Sequence, residues 1–367
     1  MTAHELRVDR RLHLAEEPGS GHNRWHPDIP TVLSVDDGDE VVFETRDALD
    51  GQIDEASTDV DAGKADLDVV HPLTGPVHVR GSEPGDLLEV ELVEMTTDDF
   101  GFTMITPGFG FLRDEVDAPY IARWRIEGGF ATSADLPGVK IGGGPFMGVI
   151  GVAPAMELVR RATRREEPLA ASHPVVALPS PQGAVPAGGP EATEGLRTLP
   201  PRENGGNIDI RHLTVGSKVL LPVWVPGANL SVGDGHFAQG DGEVCGQAIE
   251  VGGRLLVRLR LRKGEAAARG IGTMCFEGVA PGGREGAYFA TTGLCVRRDG
   301  TNAMEDLTVA ARNAVDAMIA HLMGSYGFSR PQAHVICSVA VDLKVTQAVD
   351  VPNVSVAAFL PLGIFST

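Results

Sequence analysis

Cysteine, aromatic side chains, positive charge and long apolar runs are all scarce in this sequence. The four cysteines, Cys245, Cys275, Cys295 and Cys337, form no C-x-x-C pair. That spacing offers no zinc ribbon and no dithiol redox motif. Four cysteines in 367 residues are also too few for a disulfide framework. No stretch approaches the roughly 20 apolar residues of a membrane helix. The uncharged stretch over residues 171–190 carries five prolines. The first 17 residues are studded with charges and contain no apolar leader core. These features predict a cytoplasmic protein that does not engage a membrane. Lysine and arginine total 31 against 50 acids, for a net charge of −19. A surface of that sign repels phosphate backbones and argues against a nucleic-acid partner. Fourteen of the acids lie between residues 28 and 68, opposed only by Arg46 and Lys64. They read as a solvated acidic face. Also missing are G-x-S-x-G, the phosphate-binding Gly-Lys-Ser/Thr and H-E-x-x-H, which removes the commonest hydrolase and nucleotide-binding signatures.

What is present is a chain long enough to bury a large core, with 46 glycines and 25 prolines. That proportion, close to one residue in five, means many turns and short elements. Leu88, Val90 and Leu92 alternate with Glu89 and Glu91. Leu255, Val257, Leu259 and Leu261 alternate with Arg258, Arg260 and Arg262. Period-two alternation predicts strands with one dry and one wet face. Residues 219–225 form a denser apolar run, which Pro222 marks as an edge or bulged strand. A glycine turn feeding a strand recurs at Gly38-Asp39, Gly85-Asp86 and Gly216-Ser217, a pattern compatible with internal duplication. A helix is predicted over 308–323, with Asp306 as N-cap, Gly324 just past its end, and Ala311, Val315, Met318 and Leu322 on its dry face. A second is predicted over 156–167, ended by Pro168. Residues 174–201 hold seven prolines and read as an excursion rather than an element. The expected organisation is a β-rich half over 1–170, the excursion over 171–203, and a second β-rich half with the long helix over 204–367. The fold class is α+β, with packed β-sheets and helices outside them as β-β-α layers.

One region is dense in chemistry. Asn207, Asp209, Asp234, His236, Gln239, Asp241 and Glu243 fall within 37 residues, interleaved with glycines. Asn207 and Asp209, Asp234 and His236, and Asp241 and Glu243 each stand two apart. In extended chain each pair shares a face. Several ionisable groups flanked by apolar strands are costly to bury without a cation or a proton among them. Aspartate with histidine suits a borderline cation such as zinc. His71, after Val69-Val70 and before a turn, is a second candidate. His22 and His26 lie four apart, but Pro27 and the turn formers around them disfavour the helix that metal binding would need. Cys337, with His334 three positions away, is a candidate nucleophile in an apolar run.

These residues carry a resemblance. GHNRWHPDIP (21–30), FETRDALDGQI (43–53), HPLTGPVHVRGSEPGD (71–86), PGFGFLRDE (107–115), GVIGVAP (148–154), GGNIDIRHLTVGSKVLLPVWVPGA (205–228) and SVGDGHFAQGDGEVCG (231–246) are similar to segments of the acetamidase/formamidase family. The last two are the most specific, and the chain looks closest to the formamidase branch. The resemblance implies a β-rich fold with packed helices. It implies hydrolysis of a short amide to a carboxylate and ammonia, a homo-oligomer, and a bound zinc or calcium ion. Carried over, Asn207 and Asp209 match the Gly-Gly-Asn-x-Asp motif, Asp234 and His236 match Gly-Asp-x-His, and His71 matches His-Pro-Leu-Thr-Gly-Pro. The formamidases place a His-Pro pair before GVIGVAP, where this chain has Pro145-Phe146-Met147. The expectation is a cation held by Asp209, Asp234 and His236 that acidifies a water. Glu243 or Asp241 is the expected general base, with His71 a further catalytic candidate. Asn207 and Gln239 are expected on the substrate, a small neutral amide. The rival readings are a cysteine-nucleophile amidase with a structural metal, and a non-catalytic amide-binding relative.

Overall fold

The computed structural model describes residues 3–110, 117–135, 140–171, 180, 182–239, 243, 245–279, 287–328 and 341–362. Nine strands form one sheet in the order Ala3–Leu6, Glu40–Thr45, Gly253–Arg262, Leu87–Thr97, Lys218–Pro222, Cys275–Val279, Ala287–Leu294, Ser355–Pro361 and Asp342–Gln347. All neighbours are antiparallel except the first pair. The second sheet has eleven strands. Its centre is Leu230–His236, flanked by Phe146–Val152, Glu250–Val251 and Leu73–Val79. Phe146–Val152 in turn pairs with Gly205–Asn207. Both sheets mix strands from 1–170 and from 204–367, so the two halves of the chain interlock in space.

The alternation seen in sequence sorts the two faces of the first sheet. Phe43, Leu88, Val90, Leu255, Val257 and Leu259 point inward, onto Val77, Val79, Ile150, Val152, Leu230 and Val232 of the second sheet. The opposite face carries an ion-pair ladder: Arg258 meets Glu40 at 2.7 Å and Glu91 at 2.9 Å, and Arg262 meets Glu89 at 2.6 Å. Further along that face, Leu220, Cys275, Phe289, Val356 and Ala358 are covered by the helix Leu307–Tyr326. The layers are therefore sheet, sheet and helix, as the sequence predicts.

Three expectations need correction. The strand of the 219–225 run is Lys218–Pro222, paired on both sides and not at an edge. Pro222 is tolerated because it is the strand's last residue, where only Leu87 lies opposite it. The long helix does begin at Asp306, whose carboxylate accepts the N–H groups of Thr308 and Val309. It runs past Gly324 and stops at Gly327, which takes the left-handed φ of 71° that ends helices. Its buried stripe includes Ala310 and Ala314, while Ala311 and Val315 lie only partly buried. The rotation follows from Gly293 beneath it, where an added Cβ would overlap Ala310 O and Ala314 N. The second helix spans Met156–Glu166 and continues as a 3-10 turn through Pro168 to Ala171.

The recurring glycine turns have one local cause. Gly38, Gly85 and Gly216 sit at φ of 90°, 98° and 93°. Each is the third residue of a turn closed by Asp39, Asp86 or Ser217 donating three residues back. That is the type II position that demands positive φ. Each glycine N–H then donates to Leu259, Val223 or Leu92, whose own N–H returns to the residue after the glycine. Two residues face one, which is a β-bulge. All three lie in the first sheet.

Gly293→Val places a branched side chain against the helix backbone, an overpacking expected to cost about 1–3 kcal/mol. A shift of the urea midpoint would measure it. A variant as stable as the parent would show that the helix can ride outward freely.

Candidate active site

The second sheet brings the chemistry together at one end of its central strands. Leu230–His236 lies against Phe146–Val152, with Met147 opposite Gly235 and Val149 opposite Gly233. Asp234 therefore faces Gly148. The Gly148 carbonyl accepts the N–H groups of Ile208 at 3.0 Å and Asp209 at 3.3 Å, which docks the Asn207–Asp209 segment on the same spot. A Cβ added to Gly148 would overlap Asp234 Oδ2, lie 2.5 Å from Asp209 Oδ1 and 2.8 Å from His236 Cε1. Only glycine leaves that space open.

His236 is the hub. Its Nε2 lies 3.2 Å from Asp234 Oδ1, 3.3 Å from Glu250 Oε2 and 4.0 Å from Glu243 Oε1. Its Nδ1 is 3.0 Å from Gln239 Oε1, and Gln239 Nε2 donates to the Asp209 carbonyl at 2.8 Å. Gln239 thus fixes the tautomer that leaves Nε2 facing the carboxylates. Its amide is spent on that task, which places it behind the site rather than on a substrate. The Phe146 ring stands edge-on to His236, centroids 5.0 Å apart, so the Pro145-Phe146-Met147 departure backs the imidazole. His71 approaches from the Leu73–Val79 side, its Nε2 3.9 Å from Asp234 Oδ2 and its backbone N–H donating to Thr198 Oγ1 at 2.7 Å. Asn207 donates to Asp350 Oδ2 at 2.9 Å.

Glu250 and Asp350 join this cluster although no motif singles them out. Each is a lone acid among apolar neighbours, Ala248-Ile249-Glu250-Val251 and Ala348-Val349-Asp350-Val351. That signal is weak, because the wet face of any strand produces it too. Asp241, Cys337 and His334 lie outside the described residues. His22 and Asn23 are structural. His22 holds the Arg24 carbonyl at 2.6 Å and Ser231 Oγ at 2.7 Å, and the Asn23 amide oxygen accepts the Val185 N–H at 2.7 Å.

Asp209, Asp234, Glu243, Glu250 and Asp350 are all buried, against two imidazoles. Desolvation raises a carboxylate's pKa, and each neighbouring acid raises it further. Burial, then Glu243, Asp350 and Asp234, hold Asp209 well above its usual range. Burial, then Asp350, Glu250 and Asp234, do the same to Glu243. Burial pushes Glu250 and Asp350 each to about 7. Burial would raise Asp234 as well, but His236 and His71 outweigh it and hold that carboxyl low. Burial would lower His236, but Glu250 and Asp234 hold it well above its usual value. Burial lowers His71, and the neighbouring Asp234 opposes that shift. Three of the acids, Asp209, Asp234 and Glu243, have left-handed φ of 50°, 59° and 45°. That conformation is costly for a residue with a Cβ and gathers at functional sites.

The donor set fits a divalent cation. Asp209, His236 and Glu243 bring ligand atoms within 4.8 Å of one another, as do Asp234, His236 and Glu250. Both Asp209 carboxylate oxygens, Glu250 Oε2 and Asn207 Oδ1 are buried without a hydrogen-bond donor. Such acceptors are expensive unless a cation or proton satisfies them. The cluster opens onto a cavity of about 60 Å³, where roughly 10–15 Å³ suffices for one water. Its other wall is apolar, with Leu49, Val70, Met104 and Leu199 among the lining residues.

A family model described as "Acetamidase/Formamidase family" matches residues 7–367. The chain is 37% identical to a formamidase of Methylophilus methylotrophus over 95% of its own length and 90% of that protein. It is 37% identical to an acetamidase of Mycolicibacterium smegmatis, covering 90% of this chain and 87% of that one. Its fold is similar to a solved gamma lactamase from Delftia acidovorans, with TM-score 0.73 and 36% identity over 99% of this chain and 94% of the other.

Two predictions follow from the cluster's geometry and charge. Gly148→Ala displaces Asp209, Asp234 or His236, and is expected to weaken divalent-cation binding at least tenfold. Calorimetric titration of the chelated protein checks this, and unchanged affinity would clear those residues of a ligand role. Glu250 and Asp350 titrate near 7 when folded and near 4 when unfolded. Because the folded value is the higher, their contribution is full below about 4 and is lost as pH rises through about 7. Chelated protein is therefore expected to lose stability between about pH 4 and pH 7, and a saturating cation to flatten that slope. A chelated protein with no such loss would show that these carboxyls are not strained by burial.

Proposed function

The chain belongs to the Acetamidase/Formamidase family, and from that premise we propose that it hydrolyses a short aliphatic amide to a carboxylate and ammonia at the buried carboxylate–histidine cluster. The carrying observation is the cluster itself, where buried acids, Glu250 and Asp350 at about 7 and Glu243 raised from its usual value, line a small cavity. Amide hydrolysis needs a group that takes a proton from water and returns it to the leaving nitrogen. A carboxyl raised toward neutral pH does both.

Of the expected ligands, His236 groups with Asp209 beside Glu243 and, separately, with Asp234 beside Glu250, and either set would hold a divalent cation. Zinc suits the histidine, and calcium suits the oxygens. When bound, such an ion supplies Lewis-acid polarisation and an acidified water. The remaining work falls to the chain. Glu243 is the proposed proton carrier: it would accept the proton of water as a carboxylate, and burial with three neighbouring acids raises its proton affinity above that of an ordinary glutamate. Asp241 stays a candidate for the same role on its motif alone. Asn207 keeps its amide oxygen free to accept a substrate N–H. His71, its pKa lowered by burial, can exchange a hydrogen bond with the substrate beside Asp234. Gln239 positions His236. A thiol is the weaker nucleophile: Cys245 borders the cavity, but burial raises its pKa and keeps it protonated.

We also propose a homo-oligomer in the cytoplasm. In support, Leu343 and Val345 stand exposed on the outermost strand Asp342–Gln347. Cys245, Cys275 and Cys295 are free thiols, as in a reducing compartment. No helix among the described residues is long and apolar enough to cross a membrane.

The test is ammonia release from formamide and acetamide before and after chelation. Loss of activity on chelation and recovery with zinc or calcium is the expected result. Glu243→Gln is expected to lower kcat by about 10²–10⁴-fold while metal content stays at one parent equivalent. Full activity in metal-free protein would sink the metal reading. Metal lost together with activity in the glutamine variant would make Glu243 a ligand instead.

A further inference from the structure

The Pro-rich excursion ends beside the site. Leu196–Arg197 pairs antiparallel with Arg24–Trp25. The Arg197 guanidinium meets the Asp68 carboxylate, and the Leu67 carbonyl at 3.3 Å. Arg24, wholly buried, donates to the Asp68 carbonyl at 3.1 Å. The stretch leading to His71 and the stretch leading to Thr198 are thus tied together just before those two residues. Thr198 is fully buried, and its Oγ1 has two partners among the described residues, both on His71: the backbone N–H at 2.7 Å and Nδ1 at 3.3 Å. A hydroxyl brings one hydrogen and two lone pairs. One lone pair takes the His71 backbone N–H. If Nδ1 carried the ring proton, the second lone pair would take it, and the hydroxyl hydrogen would be buried with no acceptor, which is costly. If the hydroxyl donates to Nδ1 instead, every group is satisfied.

We infer that Thr198 is a positioning residue that holds His71 in the tautomer with its proton on Nε2, and that His71 donates this N–H to the amide oxygen in the transition state. The inference rests on the amidase reading and gives His71 a direction within it. Nε2 is the nitrogen that reaches the site, 3.9 Å from Asp234 Oδ2, and both residues line the cavity. A lone pair on Nε2 would be repelled by that carboxylate, whereas an N–H is drawn toward it. In this form His71 has no acceptor at Nε2 and takes no proton from water, so proton carrying stays with the acids. As water adds to the amide carbon, the C=O π pair moves onto oxygen, and the fixed N–H dipole stabilises the charge that develops there. The hydrogen stays on Nε2 throughout, so the ring leaves each turnover unchanged. The hydroxyl of Thr198 sets the tautomer in advance, as partners of a site histidine generally do.

The experiment has two readouts on the metal-loaded full chain. Nitrogen NMR of histidine-labelled protein, with His71→Gln to assign the signals, is expected to show a protonated Nε2 and a bare Nδ1 at neutral pH. Ammonia release from acetamide reads the catalytic role. Thr198→Val keeps the side chain's shape and removes its hydroxyl, and is expected to lower kcat about 10–100-fold. KM is expected to stay within about threefold, because the bond that weakens is made in the transition state. Thr198→Ser restores the hydroxyl and is expected to recover most of the loss. His71→Gln retains an N–H donor and is expected to outpace His71→Ala by about tenfold or more. A proton on Nδ1, or on both nitrogens, overturns the tautomer. A parent-like kcat in Thr198→Val, or a serine variant no better than the valine one, overturns the positioning role. Cation lost from His71→Gln makes Nε2 a ligand and overturns the donor role. A parent that releases no ammonia overturns the amidase reading and the donor role with it, while the nitrogen spectra still judge the Thr198 contact by themselves.

Discussion

The structure depends on holding five carboxyl groups together away from water. Asp209, Asp234, Glu243, Glu250 and Asp350 are buried around His236 and His71. Left to themselves, such charges repel one another and forfeit hydration. The chain meets this partly with its own groups. Glu250 and Asp234 raise the pKa of His236, and His236, then His71, hold that of Asp234 low. Protons on the raised acids, or a cation on the orphaned oxygens of Asp209, supply the rest. A site balanced in this way responds strongly to whatever enters it. Responsiveness of that kind is what acid–base work on a neutral substrate requires.

Such a cluster needs a rigid frame, and the frame is built from close backbone approach. Gly148 has no side chain, so strand, loop and the side chains of Asp209, Asp234 and His236 converge on one point. A second polar knot anchors the segments that lead there. Glu166, at the end of the helix Met156–Glu166, pairs with Arg202 through bonds of 3.0 and 2.6 Å and also accepts from the Asn353 amide at 3.4 Å. Arg202 stands five residues before Asn207, and Asn353 three after Asp350. A buried pair of this kind is weak evidence for stability, but removing one partner costs several kcal/mol. Its evident effect is to fix where Asn207 and Asp350 meet, 2.9 Å apart.

Much of this was legible in the residues. Alternation at 88–92 and 255–261 assigned the dry faces correctly, because a strand's period is two whatever it packs against. Asp306 was readable as a cap for the same local reason. The three glycine turns were visible as a pattern, but their meaning as bulges needed the partner residues Leu259, Val223 and Leu92, which are remote in sequence. Pro222 misled because ladder position is a tertiary property. The helix stripe was rotated because Gly293, on a different element, chose which alanines could come close. Gln239 sat in the right motif, but its contacts give it a positioning task.

By itself the sequence determined the layered β-rich class, the family resemblance, and the grouping of Asp209, Asp234, His236 and Glu243. Those rest on local spacing, which survives any tertiary arrangement. Only the tertiary structure decided that Glu250 and Asp350 share the same cavity, that an apolar wall faces the acids, and which carboxyls are raised. The reason is physical: a carboxylate's pKa is set by the dielectric and charges around it, and segments far apart along the chain supply both.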